Sequence, residues 1–231
     1  MFSPDDWQAI RLTLLVATVA VTCSLPPAIA VAWLLAKREF PGKFLLEVLV
    51  NLPLVLPPVV TGYLLLLTFG RASWFGAWLE QTLGLRFIFD WKGAALAAAV
   101  VGFPLLVRPI RQAFSAVDER LLQAARTLGA GPFDAFWSIL LPLARPGIIS
   151  GALLAFARSI GEFGATIMIA GSIPGETRTM TLAIYALLHS PEGDIAARKL
   201  VLVSIVIAAL ALLVGELLER HGQRRLRQGA T

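Results

Sequence analysis

The amino-acid sequence predicts an all-α protein that is integral to a membrane, with about five transmembrane helices. Of its 231 residues, 57% are apolar and only 15% are charged, and the mean hydropathy is +0.76. Soluble domains carry about 45–50% apolar and roughly 25% charged residues. The apolar residues also form runs of about 20, the length that a helix needs to cross a bilayer. This composition excludes a disordered chain, and the single cysteine, Cys23, excludes a disulfide scaffold.

Five apolar stretches account for the predicted spans, at about residues 12–36, 44–69, 93–111, 147–170 and 200–218. The first contains no charged residue. The third is continuously apolar only over Gly93–Val107, so it must use flanking aromatic residues to reach the membrane surface. The nine-residue stretch Met180–Leu188 is too short to cross and is expected to be an interfacial or re-entrant helix. We therefore expect residues 1–231 to form a single transmembrane domain.

The distribution of lysine and arginine predicts the side of the membrane on which each terminus lies. Of the 20 such residues, three lie between the first two spans, five lie from Arg108 to Arg145, and four follow the fifth span, so twelve share one side. Seven lie on the other side, and Arg158 lies within the fourth span. Cytoplasmic segments carry the excess of positive charge, so we expect the N-terminus outside and the C-terminus in the cytoplasm. This rule accounts for the net charge of +5 without a nucleic-acid partner.

Residues 118–142, predicted on the cytoplasmic side, have the pattern of two short amphipathic helices. Asp118 is suited to cap the first helix and Gly129 to end it. Pro132 is suited to open the second helix and Pro142 to end it. Exposed Phe and Trp residues on a compact projection predict a surface that docks into a partner protein. The alternative is an ordinary loop that packs against the helix bundle. The residues expected to couple to that partner are Ala124, Ala125, Leu128, Gly129, Ala130, Phe133, Phe136 and Trp137.

The second span carries a Pro-Pro pair near its centre, at Pro57 and Pro58. Proline removes a backbone donor and clashes with the preceding turn, so this helix is predicted to kink or break there. Carbonyl groups freed at that depth are tolerated where protein or a water-filled cavity covers them, and transporters place substrate paths at such breaks. Thr61 and Gly62, one turn beyond, are candidates to line the same gap. The alternative is a kink that serves packing alone.

Two opposite charges lie inside the fourth span, at Arg158 and Glu162. They are four residues apart and share one helix face, and an isolated charge there would cost about 2.5–3.5 kcal/mol on the insertion scale. One interpretation is an ion pair that allows both to be buried. The other is a source of positive potential along an oxyanion path, because a guanidinium group matches tetrahedral oxyanions. Gly161 and Gly164 flank Glu162 and permit close helix approach or local unwinding, as a gate requires.

These segments resemble the permeases of ABC importers. The pattern Ala-Ala, three residues and Gly at 124–129, followed by Leu-Pro at 141–142, resembles the EAA loop that this family presents to a cytoplasmic ATP-hydrolysing subunit. One departure is Gln123, which stands where the family often has Glu. Other parts of the chain resemble the molybdate and sulfate branch of the family, at residues 52–63, 155–165 and 173–179.

The resemblance implies the membrane permease subunit of an ATP-driven importer that moves molybdate across the plasma (cell inner) membrane by alternating access. It also implies a homodimer of permeases, two cytoplasmic subunits that bind ATP and Mg²⁺, and a periplasmic or other extracytoplasmic molybdate-binding protein. The chain itself is then expected to bind no cofactor or metal and to hold no catalytic residue. Sulfate or tungstate as the cargo remains an open alternative. Two other classes, an ion-coupled transporter and an integral-membrane enzyme, remain as well, although the charged residues in the spans do not form the cluster that an enzyme would need.

Overall fold

The computed structural model describes residues 2–191 and 193–228, with the side chains of residues 2–191, 193–215 and 217. This part of the chain is helical and contains no strand, which confirms the predicted all-α class. Residues Phe136–Leu140 form a π-helical turn. The α-helices within the described residues are α1 (Pro4–Lys37), α2 (Lys43–Val55), α3 (Pro58–Phe69), α4 (Trp74–Leu83), α5 (Trp91–Ala116), α6 (Glu119–Thr127), α7 (Pro132–Ala135), α8 (Leu141–Leu143), α9 (Arg145–Ile160), α10 (Gly164–Ala170), α11 (Met180–Leu188) and α12 (Asp194–Gln228).

Among the described residues, three helices, α1, α5 and α12, contain apolar stretches long enough to cross a membrane. Two bent pairs, over residues 43–69 and 132–160, bring the candidate spans to five when each pair is counted once. The third predicted span lies within α5 and the fifth within α12. The side chains of Glu216 and of the four arginines after residue 219, on which part of the predicted orientation rests, lie outside the described residues.

The first helix, α1, begins at Pro4, earlier than the predicted start near residue 12, because Ser3 and Asp6 form a capping box. The Ser3 hydroxyl accepts a hydrogen bond from the Asp6 amide at 3.1 Å, and the Asp6 carboxylate accepts one from the Ser3 amide at 2.8 Å. These polar residues lie before the apolar run, so hydropathy does not count them. At about 1.5 Å per residue, α1 is about 51 Å long and extends beyond the hydrocarbon core of roughly 30 Å.

The second span is broken, as the Pro-Pro pair predicts. Two residues separate α2 from α3, and the two helix axes are bent by 115°. One end of this pair contacts α5 through an ion pair between Glu47 and Arg111. At the other end, the ring of Phe69 lies 5.2 Å from that of Phe87, just before α5 begins. The two ends of the broken pair therefore lie near opposite ends of α5.

The fourth predicted span, residues 147–170, is interrupted and consists of two helices, with the interruption between the two glycines that are expected to permit local unwinding. Three residues separate α9 from α10. α9 starts against α5, where a Cβ atom on Gly147 would lie 2.7 Å from the carbonyl oxygen of Pro109. α10 ends where the carbonyl oxygen of Ile169 accepts a hydrogen bond from the Phe89 amide at 3.1 Å. The interrupted helix thus follows α5, antiparallel to it.

Two short helices, α4 and α11, lie between the longer ones. α11 has nine residues, and it is packed into the bundle, because Met180 is fully buried and its amide donates a hydrogen bond to the Thr13 hydroxyl of α1 at 2.8 Å. Hydropathy does not predict α4, which Ser73 caps by accepting a hydrogen bond from the first turn at 2.8 Å. Beside α4, Arg71 donates two hydrogen bonds to Glu80, and this pairing lowers the pKa of the Glu80 carboxyl.

Candidate translocation path and coupling surface

The breaks in the second and fourth spans lie side by side. A Cβ atom added to Gly62 would lie 2.6 Å from the carbonyl oxygen of Ala165, and one added to Gly164 would lie 3.0 Å from the Cβ atom of Pro58. Both distances are shorter than normal van der Waals contact, so only glycine allows α3 and α10 to approach this closely. The structure therefore brings together Pro57, Pro58, Gly62 and Gly164, which come from two different spans.

This junction of the two breaks lies near the middle of α5. A Cβ atom on Gly102, close to the midpoint of that helix, would lie 3.8 Å from the Ser159 hydroxyl oxygen, one turn before the break in the fourth span. A break at mid-span leaves backbone carbonyl groups without helical partners, at a depth where lipid offers none. Transporters line their substrate paths with backbone of this kind.

Glu162 lies within the break between α9 and α10, and only 2% of its side chain is exposed. Its Oε1 accepts a hydrogen bond from the Ala165 amide at 2.8 Å and so caps α10. Its Oε2 lies 2.9 Å from Nη1 of Arg158, and its carbonyl oxygen accepts a hydrogen bond from the Thr181 hydroxyl at 2.8 Å. At this interruption one carboxylate therefore both caps α10 and pairs with a charged residue in the last turn of α9.

The predicted ion pair between Arg158 and Glu162 is confirmed, but pairing does not bury both side chains. Arg158 keeps 33% of its side chain exposed. The guanidinium N–H groups that do not face Glu162 have no hydrogen-bond partner within the described residues. The result is a cation at mid-span that a buried carboxylate holds in place and that remains accessible on one side.

Thr61 and Gly161, the other residues predicted for this path, have different surroundings. Thr61 is buried, its hydroxyl has no hydrogen-bond partner in the described part of the chain, and it lines a mostly apolar cavity of about 630 Å³ between α1, α2, α3 and α5. Gly161 has a φ of −89°, and a Cβ atom there would meet nothing closer than 3.9 Å. Of the two glycines that flank Glu162, Gly164 lies where two helices approach closely and Gly161 lies where the helix is interrupted.

The segment between α5 and α9 has the two short helices that the sequence predicts at residues 118–142. The Asp118 carboxylate caps α6 by accepting a hydrogen bond from its first turn at 2.9 Å. Gly129 ends the helix with a φ of +93°, and the Ala130 amide donates to the Ala125 carbonyl at 3.0 Å, as in a Schellman motif. A Cβ atom on Gly129 would meet no atom within 4 Å. Glycine is favoured here by the backbone conformation and not by lack of space.

Pro142 does not end the second short helix, which corrects the prediction. The chain stays helical through the π-helical turn and α8, and it bends by 65° only before α9. The Leu141 amide bonds to the carbonyl of Phe136, five residues back, and this wider spacing begins a new helical segment. Proline in the first turn of a helical segment loses no hydrogen bond, so Pro142 is tolerated there.

Four large apolar side chains of this segment are exposed, and Leu121, at 49%, is the least exposed of them. Leu128 is 89% exposed, Phe133 is 77% exposed and Trp137 is 53% exposed. Ala124 and Gly129 are exposed beside them, while Ala125 and Ala130 are half-buried. We call the exposed set formed by Leu128, Phe133 and Trp137 the apolar knob.

Phe136 departs from the predicted exposure. Its ring lies 6.1 Å from that of Trp33 in α1 and 6.2 Å from that of Phe114 in α5, and Leu140, one turn later, is buried. Phe133 and Trp137 are four residues apart and share a helix face, whereas Phe136 is one position from Trp137 and lies about 100° away around the helix. Phe136 therefore anchors the segment to the bundle, while its neighbours carry the exposed surface.

A polar cluster that hydropathy does not reveal links α2 to α5. Glu47 and Asn51 lie one turn apart on α2, and Arg108 and Arg111 lie one turn apart on α5. Oε1 of Glu47 is 2.7 Å from Nη2 of Arg111, and Oδ1 of Asn51 accepts a hydrogen bond from Nε of Arg108, also at 2.7 Å. The signal in the sequence is a pair of polar residues at helical spacing inside each of two apolar runs. We call these four residues the α2–α5 polar cluster.

The chain is similar to known proteins over nearly its whole length. It is 53% identical to the molybdenum transport system permease protein ModB of Escherichia coli (strain K12) over 225 residues, which cover 97% of this chain and 98% of that relative. It is 49% identical to ModB of Haemophilus influenzae over 222 residues, which cover 96% of this chain and 97% of the relative.

The fold is shared with a solved transporter. The crystal structure of a bacterial alginate ABC transporter, in complex with an alginate pentasaccharide-bound periplasmic protein, matches with a TM-score of 0.74 at 19% identity, and the match covers 95% of this chain and 80% of that one. The family described as binding-protein-dependent transport system inner membrane component matches residues 28–228. This chain therefore belongs to the family of inner membrane components of binding-protein-dependent transport systems.

Proposed function

We propose that this chain is the membrane permease subunit of an ATP-driven importer of molybdate. It works as a homodimer with two cytoplasmic ATP-binding subunits and receives its cargo from an extracytoplasmic molybdate-binding protein. The relatives that carry the molybdenum transport name match it from end to end, which supports molybdate over sulfate as the cargo. Nucleotide and Mg²⁺ are bound by the ATP-binding subunits, and this chain supplies the path.

The observation that carries an importer role is the apolar knob. Large apolar side chains that are exposed together on a compact projection are typical of docking surfaces, and aromatic residues contribute most to such contacts. The knob is held in one conformation from two sides, by the Schellman motif at Gly129 and by the packing of Phe136 on Trp33. It is therefore suited to follow the movement of a bound ATPase subunit.

The junction of the two helix breaks supports a path for an oxyanion. A cation inside a span faces a protein interior or a water-filled cavity, because exposure to lipid is costly. Arg158 lies at this junction, and its guanidinium group matches the geometry of a tetrahedral oxyanion. Glu162 neutralises part of its charge, so the anion is attracted without being trapped. Fast transport requires such weak binding.

Alternating access follows from differential affinity. ATP binding and the loaded binding protein must both favour the outward-facing state, because a ligand shifts a conformational equilibrium only by binding one state more tightly. In this arrangement the N-terminus lies outside and the C-terminus lies in the cytoplasm. The apolar knob then lies on the same side as the ATP-binding subunits, as docking requires.

The test is to purify the chain in detergent together with its bound subunits, to reconstitute the complex in liposomes, and to measure ATP hydrolysis by the complex. We expect ATPase subunits to co-purify, and we expect molybdate-loaded binding protein to stimulate hydrolysis more than sulfate-loaded protein. Binding protein loaded with tungstate tests tungstate as the alternative cargo. Uptake that continues after ATP depletion, and stops when the proton gradient collapses, would show an ion-coupled transporter instead.

A matched pair of phenylalanine variants separates docking from folding. Phe133→Ala removes an exposed ring, so we expect normal stability and weaker capture of the ATPase subunits. Phe136→Ala removes a ring that packs on α1 and α5, so we expect a lower free energy of unfolding. Equal capture by the wild type and Phe133→Ala would contradict the docking role of the knob.

A further inference from the structure

One side of α5 remains open on the half that leads to the apolar knob. α1 covers the opposite side, where Ile110 and Phe114 of α5 are fully buried in the core that α1 shares. Arg108 and Gln112 each precede one of these buried residues by two positions. Two positions correspond to about 200° around a helix, and both side chains are exposed. Arg108 and Gln112 therefore lie on the side of α5 that faces away from α1.

The same orientation holds for Leu154 and Arg158, one turn apart on α9. Phe156, which lies between them, packs against the buried cluster that contains Ala17 of α1. Leu154 and Arg158 are each two positions from Phe156, so they also point away from α1. Leu154 is 41% exposed, and the Arg158 side chain is 33% exposed. Because α5 and α9 pack together, Arg108 and Arg158 lie on the same open side of this helix pair.

The two arginines lie at different depths. Ser159, next to Arg158, faces Gly102 of α5. Arg108 lies six residues beyond Gly102, which corresponds to about 9 Å along the helix towards the apolar knob. Its Nε donates a hydrogen bond to Asn51 at 2.7 Å, so the guanidinium group is held at this depth and is not extended towards the membrane surface.

Arg108 carries the charge that the α2–α5 polar cluster leaves unneutralised. Glu47 is already paired with Arg111 at 2.7 Å. Arg108 has no carboxylate within ion-pair distance among the side chains that the structure describes. A charged residue in a span faces the protein interior or water, because contact with lipid is costly. The open side of α5 and α9 is therefore a polar region, with a cation at each of two depths.

We propose that Arg108 is a second cationic step of the oxyanion path, about 9 Å beyond Arg158 towards the cytoplasm. This inference rests on the proposed function, because it takes an oxyanion as the cargo. The guanidinium N–H groups that do not bond to Asn51 are available to a tetrahedral anion. Two weak sites in series pass an ion along a path without retaining it at either.

The direct test measures the local potential with thiol reagents. The assembled transporter carries Gln112→Cys, with Cys23 replaced by Ser, and is studied in inside-out vesicles. The measured quantity is the ratio of the rates at which the Gln112→Cys thiol reacts with an anionic and with a cationic methanethiosulfonate. Arg108 raises this ratio, and Arg108→Gln lowers it roughly tenfold, which corresponds to about 1.4 kcal/mol. Molybdate slows the anionic reagent while Arg108 is present. Ile110→Cys is the buried control and is expected not to react.

Uptake measurements test the same step by its effect on transport. Arg108→Gln keeps an amide that can bond to Asn51, so the protein assembles, and import falls roughly tenfold. Arg108→Lys keeps the charge and retains most of the import. An unreactive Gln112→Cys, a reagent ratio that Arg108→Gln leaves unchanged, or normal import by Arg108→Gln would each overturn the proposal. A wild-type transporter that imports no oxyanion would instead overturn the proposed function, whatever these variants do.

Discussion

The contact between α3 and α10 predicts a large effect for a single added methyl group, in Gly62→Ala. The new Cβ atom would lie 2.6 Å from the carbonyl oxygen of Ala165, 2.7 Å from its Cα atom and 2.8 Å from the Cβ atom of Met168. Carbon atoms in contact are about 3.5–4.0 Å apart, so the two helices must separate by about 0.8 Å or more. Two of the three atoms belong to the backbone, so no change of side-chain rotamer relieves the clash.

Overpacking of this kind costs about 1–3 kcal/mol, and we expect Gly62→Ala to lower the free energy of unfolding by that amount. The measurement is unfolding in mixed micelles with increasing SDS, followed by circular dichroism. Because the clash lies at the junction of the two breaks, we also expect slower import while the ATPase subunits remain bound.

Gly161→Ala is the matched control. It adds the same methyl group next to the same break, at a position where the nearest other atom would be 3.9 Å away. We expect no loss of stability, or a small gain, because alanine restricts the unfolded chain more than glycine does. Equal stability and equal import in the wild type, Gly62→Ala and Gly161→Ala would refute the conclusion that the two breaks are held in close contact.

Three further predictions concern coupling, the ion pair and topology. Gly129→Asp places a side chain at a left-handed position, at a cost of about 1–2 kcal/mol, and adds a charge to the elbow. The variant should reach the membrane at near-normal levels but lose ATPase subunits on purification, and normal uptake would contradict this. Glu162→Gln leaves Arg158 without its partner and should reduce assembly, whereas adding Arg158→Gln should restore assembly but not transport, as measured by expression and uptake. Topology is tested with single cysteines in a chain whose Cys23 has been replaced. A cysteine at Ser3 should react with an impermeant reagent in intact cells, and a cysteine at Gln228 should react only after lysis. The reverse pattern would contradict the predicted orientation.

Features set by local chemistry could be predicted from the sequence. The end of α2 agrees with the donor that proline removes at Pro57 and Pro58, although Pro26 and Pro27 lie inside the continuous helix α1, so a Pro-Pro pair alone does not decide where a helix breaks. Arg158 and Glu162 pair because four residues make one turn, and Gly129 ends α6 because a left-handed residue is required there. The ion pair and the end of α6 depend on neighbours within five residues, which the sequence shows directly.

Features set by contacts between spans could not be predicted in the same way. Nothing near Pro58 indicates that it packs on Gly164, because apolar helices can pair in many ways. Phe136 and Phe133 have the same residue type and similar neighbours, and only the packing of this segment on α1 shows that Phe136 is the one that contacts Trp33. Predicting the α2–α5 polar cluster likewise requires the relative position of the two helices, although the helical spacing of its residues within each helix can be seen in the sequence.

The connections on either side of the apolar knob are very short. Two residues, Val117 and Asp118, join α5 to α6, and Ala144 alone joins α8 to α9. The carbonyl of Val117 is held by Nζ of Lys37 at 3.2 Å, and Ala144 is fully buried. Connections of this length cannot absorb a displacement, so any movement of the knob must also move the helices that carry Arg108 and Arg158. Under the proposed function, we expect the ratio of ATP hydrolysed to anions imported to depend on the length of these two connections, and we expect inserted glycines there to allow hydrolysis to continue without transport.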